Sequence, residues 1–134
     1  MGQTTTAVVA TLLSMGVLDA IWLSTMTSRL YRREMPSMLL ETPSWPPAVA
    51  FYLLYAVGVV LLVVRPALDG DWTAGRVAGM SALLGLVAYG TYDLTNQATL
   101  RGWSTLVTMV DLTWGATLTA VVATVAVAAA RRFG

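Results

Sequence analysis

Three of the seven acidic residues, Asp19, Asp93 and Asp111, stand inside long apolar runs. An aspartate at a helix centre in a bilayer costs about 2.5–3.5 kcal/mol on insertion scales, so such residues turn to a bundle interior or a watery cavity and mark a functional site. Carboxyl groups placed there have two uses: they move protons as general acids and bases, or they attract a cation. Aromatic residues accompany them. Asp19 is followed by Trp22 and Asp111 by Trp114, each at i+3, and Gly115 leaves room beside the second pair. Asp93 lies in the stretch Tyr89 to Trp103, YGTYDLTNQATLRGW, which holds two tyrosines, three threonines and two amides. Tyr89, Asp93 and Asn96 fall at i, i+4 and i+7 and share one helix face.

Four apolar runs of spanning length carry these residues, and they are read as helices at about 4–28, 46–65, 74–100 and 104–130. The expected fold class is an all-α integral membrane protein, an antiparallel bundle of four transmembrane helices, forming a single membrane domain over residues 1–134. The length of the first run and its lack of a basic flank argue against a cleaved signal peptide. Arg29 to Trp45 reads as the first loop, holding Arg32, Arg33, Glu34 and Glu41, with MPSMLLE as a short helix on the membrane surface. Tyr31, Trp45, Trp72 and Trp103 read as interfacial anchors. Pro46 and Pro47 suit the first turn of the second helix. Pro66 to Thr73 reads as the second loop, and Arg101-Gly102 as a tight turn. Gly75 and Gly79 form a GxxxG pair, read as a packing contact.

Depth brings the acids together. At about 1.5 Å per residue, Asp19 (about nine residues before its helix end), Asp93 (about seven before) and Asp111 (about seven after its start) share a layer roughly 10–14 Å inside one surface. That surface bears the first and third loops, and Tyr52 and Tyr55 enter the same layer from the second helix. The candidate ligand-binding residues are therefore Asp19, Trp22, Tyr52, Tyr55, Tyr89, Asp93, Asn96, Arg101, Asp111 and Trp114. Arg101 is expected to cap the pocket or pair with Asp93. The three acids are expected to behave as one coupled group that shares protons, with Asp93 at its centre. The competing reading is that these polar groups only bond across helices as structural glue.

Composition narrows the chemistry. The chain is 57% hydrophobic and 11% charged, against about a quarter charged in soluble domains. A net charge of +1 gives no electrostatic case for nucleic acid. With no cysteine and no histidine, thiolate catalysis, disulfides, iron–sulfur clusters and histidine-ligated zinc, copper or haem are excluded. All eight basic residues are arginine, so no lysine is present to form a Schiff base. No cofactor and no metal site are expected. Arg65, Arg76, Arg131 and Arg132 lie on one side and Arg29, Arg32, Arg33 and Arg101 on the other, so the positive-inside rule assigns no orientation. An even number of spans places both termini on the same side.

The motifs LDAIWL (18–23), YRRE (31–34), FYLLYAVG (51–58), VVRPAL (63–68), AYGTYDLTNQATLRGW (88–103) and VDLTWG (110–115) span nearly the whole chain. Together they resemble a family of bacterial four-helix predicted membrane proteins known only as a domain of unknown function. The resemblance implies four helices and a multi-pass protein of the bacterial cytoplasmic (inner) membrane. It brings no substrate and no catalytic assignment, and the family usually has an apolar residue in place of Gln97.

The acid layer and its aromatics point first to binding or transport of a small polar or cationic solute, coupled to protons. Four helices make a narrow pathway, so transport calls for a homodimer. A second reading is an intramembrane enzyme acting on a lipid or isoprenoid, with Asp93 and Asp111 as paired acid and base. A third is a structural subunit of a larger membrane complex. Membrane lipids and a small-molecule ligand are the expected partners.

Overall fold

The absence of glycine and proline between Val17 and Met35 lets the first apolar run continue as helix well beyond its last apolar turn. In the computed structural model, which describes residues 2–40 and 42–134, helix α1 covers Gln3–Glu34. It is followed by α2 Trp45–Asp69, α3 Ala74–Thr99 and α4 Thr105–Phe133, each long and apolar enough to cross a bilayer. No strand occurs among the described residues. Local chemistry sets the starts. Pro46 and Pro47 sit in the first turn of α2, where a missing N–H costs nothing. Thr73 caps α3 by accepting from the Arg76 amide at 3.2 Å, and Ser104 caps α4 by accepting from the Val107 amide at 3.2 Å.

The helices alternate in direction. Tyr52 reaches Asp19 while Arg65 reaches Thr4, so α1 and α2 run antiparallel. Gln97 meets Thr105 where Gly85 lies against Gly115, so α3 and α4 do too. Helix α4 is the hub: it packs most extensively on α3 and α1 and buries residues from Val107 to Ala130. The half of the bundle towards the termini is a packed core of small and branched side chains, among them Ala7, Val59, Val64, Val122 and Ala126. A second small cluster, Leu30, Met35 and Val107, closes the opposite end. Large apolar side chains such as Leu13, Leu54, Leu62, Leu83 and Val87 point outward. That surface would aggregate in water and is matched to lipid.

Four expectations change. Arg29 to Glu34 is helix, not loop, and α1 stops only where Pro36 forces Met35 out of the helical region, at φ −138 and ψ 55. A π-helical turn, Thr27–Tyr31, forms the start of that extension, and regular helix resumes at Arg32. The segment MPSMLLE is not a surface helix; residues 36–38 form a turn with the Met38 amide donating to the Met35 carbonyl at 3.2 Å. Glu41 lies outside the described residues. Helix α2 does not stop at Arg65 but runs through Pro66 to Asp69. Proline lacks an N–H and its ring collides with the carbonyl one turn back; the wider π-turn Val60–Val64 immediately before it absorbs the mismatch. Lastly, the GxxxG pair is not the packing contact within the bundle. A Cβ at Gly79 would meet nothing within 4 Å. The close approach falls instead at Gly85 and Gly115, because α4 presents its own glycine there.

Candidate functional site

Asp19 sits half-buried on α1, and each of its carboxylate oxygens has a donor. The Tyr52 hydroxyl donates to Oδ2 at 2.6 Å from α2. The Trp114 indole Nε1 donates to Oδ1 at 3.1 Å from α4. Trp114 in turn stacks on Trp22, with ring centroids 4.2 Å apart and planes 8° from parallel. The i+3 spacing of Asp19 and Trp22 on α1, and of Asp111 and Trp114 on α4, puts the two D-x-x-W pairs face to face across the antiparallel interface.

Trp22 continues the network. Its Nε1 donates to the Tyr31 hydroxyl at 3.0 Å, and that hydroxyl donates to Asp111 Oδ1 at 2.5 Å. Tyr31 is held in place from beyond the site: on the next turn of α1, Glu34 accepts from the Ser104 hydroxyl at 2.8 Å, so the α4 cap also clamps the end of α1. Asp111 is 8% exposed, and Asp93, one helix away, is 0% exposed. The two acids flank the tight α3–α4 contact, where the Cβ position of Gly90, just before Asp93, lies 3.3 Å from Leu112, the neighbour of Asp111. A carboxylate only accepts, so a bond between two acids forms only with a proton on one of them. Without it, both oxygens of Asp93 lack a donor among the described residues.

Asp19 and Asp111 both face a cavity of about 250 Å³ whose walls include Trp22, Tyr52, Tyr89 and Trp114. Asp111 also faces a hollow of about 450 Å³ beneath the first loop, with Met35, Leu39 and Trp103 on its wall. Behind the cavity wall, Tyr55 packs edge to face on Tyr89, with centroids 6.4 Å apart. The Tyr55 hydroxyl bonds Thr119 Oγ1 at 2.6 Å, and Thr119 donates on to the Gly115 carbonyl at 2.7 Å, so Tyr55 is a fixed wall and not a free hydroxyl. The Tyr89 ring lies where a side chain on Gly115 would be, its Cγ 2.3 Å from that Cβ position. Gly115 is what admits it.

Of the ten residues expected at the site, eight converge. Asn96 does not: its side chain has no hydrogen-bond partner among the described residues, and it lies beyond the walls of these cavities. Arg101 is exposed and forms no ion pair; the ion pairs among the described residues are Arg33–Glu34 and Arg65–Asp69. It neither caps the pocket nor reaches Asp93, because the left-handed turn at Gly102, φ 76, carries it outward. Gln97 spans to Thr105 at 2.9 Å and binds the α3–α4 turn. Tyr31, read as an interfacial anchor, belongs to the site. In a regular helix at about 3.6 residues per turn, Tyr31 would stand on the opposite face from Trp22. The π-turn rotates it back, and periodicity carries no sign of that.

A family model described as a predicted membrane protein, DUF2177, matches residues 4–128. The chain belongs to the DUF2177 family. All the residues that build the site of this family member lie inside the matched span. No curated protein and no solved structure matches the chain. Among the described residues there is no cluster of three carboxylates or other side chains set to hold a metal.

Proposed function

We propose that the protein binds a small organic cation in the cavity between Asp19 and Asp111 and carries it across the membrane in exchange for protons. The observation that carries this reading is a cavity with two carboxylates and six aromatic residues on its walls and no arginine paired to either acid. Buried negative charge without a counter-ion is unfavourable by several kcal/mol per ion, roughly, after relaxation. A cation or a proton relieves it. Indole and phenol faces attract quaternary and other organic cations, with about 0.5–2 kcal/mol per contact depending on desolvation. One cavity does not make a pathway through four helices, so transport calls for a second copy of the chain.

Asp93 and Asp111, placed on either side of the tight α3–α4 contact, support a second reading, proton chemistry on a lipid or isoprenoid entering beneath the first loop. Proteoliposome uptake of labelled tetraethylammonium under a pH gradient separates the two. Cation transport requires uptake by the wild type and its loss in Asp19→Asn and Asp111→Asn. Equal uptake in wild type and both variants overturns it. A lipid species that changes on gene deletion, and is restored by wild type but not by Asp93→Asn, supports the enzyme instead.

A further inference from the structure

Asp93 is the anomaly of the bundle. It is 0% exposed, and both its carboxylate oxygens lack a donor among the described residues. Asp19 is the contrast, with one donor on each oxygen. Its oxygens thus have partners without a neighbouring acid. Asp111 stands across the tight α3–α4 contact from Asp93, beside Leu112, which packs on Gly90.

The groups facing that pair are few. From α1 comes Tyr31, whose one hydroxyl proton goes to Asp111 Oδ1. From α3 itself come Tyr89 and Tyr92, and Tyr92 packs edge to face on Trp103, with centroids 5.6 Å apart. Helix α2 contributes no titratable group to it: Tyr52 is engaged with Asp19 and Tyr55 with Thr119. No arginine is paired with either acid. Two carboxylates side by side, with one hydroxyl donor between them and no cation, repel strongly in a medium of low dielectric constant. A single proton changes the arrangement: the protonated carboxyl donates to its neighbour, and Asp93 gains the partner it otherwise lacks.

We infer that Asp93 and Asp111 form one proton-holding site, separate from Asp19, which anchors the cation. The acid layer is thus a pair plus one and not a group of three. The pair stands on its own geometry; the role of Asp19 rests on the cation-binding reading above. Asp111 links the two functions, since it belongs to the pair and also faces the cavity. When a cation enters beside it, the carboxyl O–H bond breaks, the proton leaves to water, and the cation takes over its charge. Each cation bound therefore releases one proton.

Infrared spectroscopy of the purified protein in lipid tests the pair without any ligand. Protonated carboxyl groups absorb in a band that carboxylates lack. The wild type is expected to show one such buried band. Asp93→Asn and Asp111→Asn should each remove it, and Asp19→Asn should leave it in place. Survival of the band in a folded Asp93→Asn or Asp111→Asn protein, or its loss in Asp19→Asn, overturns the pair. Either variant of the pair decides the matter if the other fails to fold. A dye measurement of proton release on adding tetraethylammonium tests the link. One proton per cation bound is expected from the wild type and none from Asp93→Asn, with calorimetry on each protein giving the cation bound. If the wild type binds no tetraethylammonium but the bands behave as expected, the cation reading fails and the pair stands. If the cation binds but releases equal protons from wild type and Asp93→Asn, the pair fails.

Discussion

Replacing Gly85 with alanine puts the α3–α4 contact to a quantitative test. The added Cβ would stand 2.1 Å from the Gly115 carbonyl oxygen and 2.7 Å from its carbon. Carbon and oxygen make ordinary contact at about 3.3–3.6 Å, and the atoms in the way are backbone, so no rotamer change relieves the clash. The helices must part by about 1 Å. Overpacking costs about 1–3 kcal/mol in well-packed interiors, and a backbone clash belongs at the upper end. In lipid no hydrophobic term draws the helices back together. For a chain of this size the loss is on the order of 10 °C in melting temperature. The same parting pulls Asp93 from Asp111, so the shared-proton infrared band should fall with the melting temperature. Gly79→Ala is the control, because nothing lies within 4 Å of its Cβ position. Thermal unfolding in a mild detergent is the assay. A Gly85→Ala protein that melts within about 2 °C of wild type, or a Gly79→Ala protein that loses as much, refutes the close-contact argument.

Three further outcomes are expected. Asp93→Leu should melt below Asp93→Asn, because leucine removes the polar partner of Asp111 whereas asparagine keeps one in the same place; equal melting of the two in a thermal scan would mean that no bond joins Asp93 to Asp111. Tyr31→Phe removes the donor on Asp111 and the acceptor of Trp22, which should cost about 1–3 kcal/mol and weaken tetraethylammonium binding by calorimetry; unchanged stability and binding would remove Tyr31 from the site. Elemental analysis of the purified protein should find no tightly bound zinc, copper or iron, since the chain has neither histidine nor cysteine; stoichiometric transition metal that survives chelation contradicts this.

The four helices were legible because apolar runs of spanning length have few other fates. The convergence of Asp19, Asp111, Tyr52 and Trp114 was legible from depth alone, since rise per residue fixes level without any knowledge of facing. Facing was the harder part. In a membrane protein the lipid side is as apolar as the core, so Leu13 outside and Val59 inside carry the same signal. Polar residues then mark the inward face, and two misled: Asn96 lies on the face of Asp93 by spacing yet stays out of the network, and Arg101 is turned away by Gly102. Tyr31 was hidden because three nearby arginines resemble a loop, and because a π-turn shifts the face by an amount no hydrophobic period reveals. The separation of Asp19 from the Asp93–Asp111 pair was not legible either. It depends on which donors reach which oxygen, and only the packed helices decide that.

The π-turn at Thr27–Tyr31 lodges one extra residue in a helical turn without breaking the helix. Everything after it is re-aimed by that single addition: Tyr31 towards Asp111, and Glu34 towards Ser104. A deletion of one residue there would leave the apolar content and the length of the span nearly untouched, and hydropathy would register nothing. It would nonetheless swing the tyrosine off its carboxylate and the glutamate off its serine in the same stroke. A change of length at this point is therefore also a change in which side chains meet, and a chain so shortened must find another donor for the acid on α4.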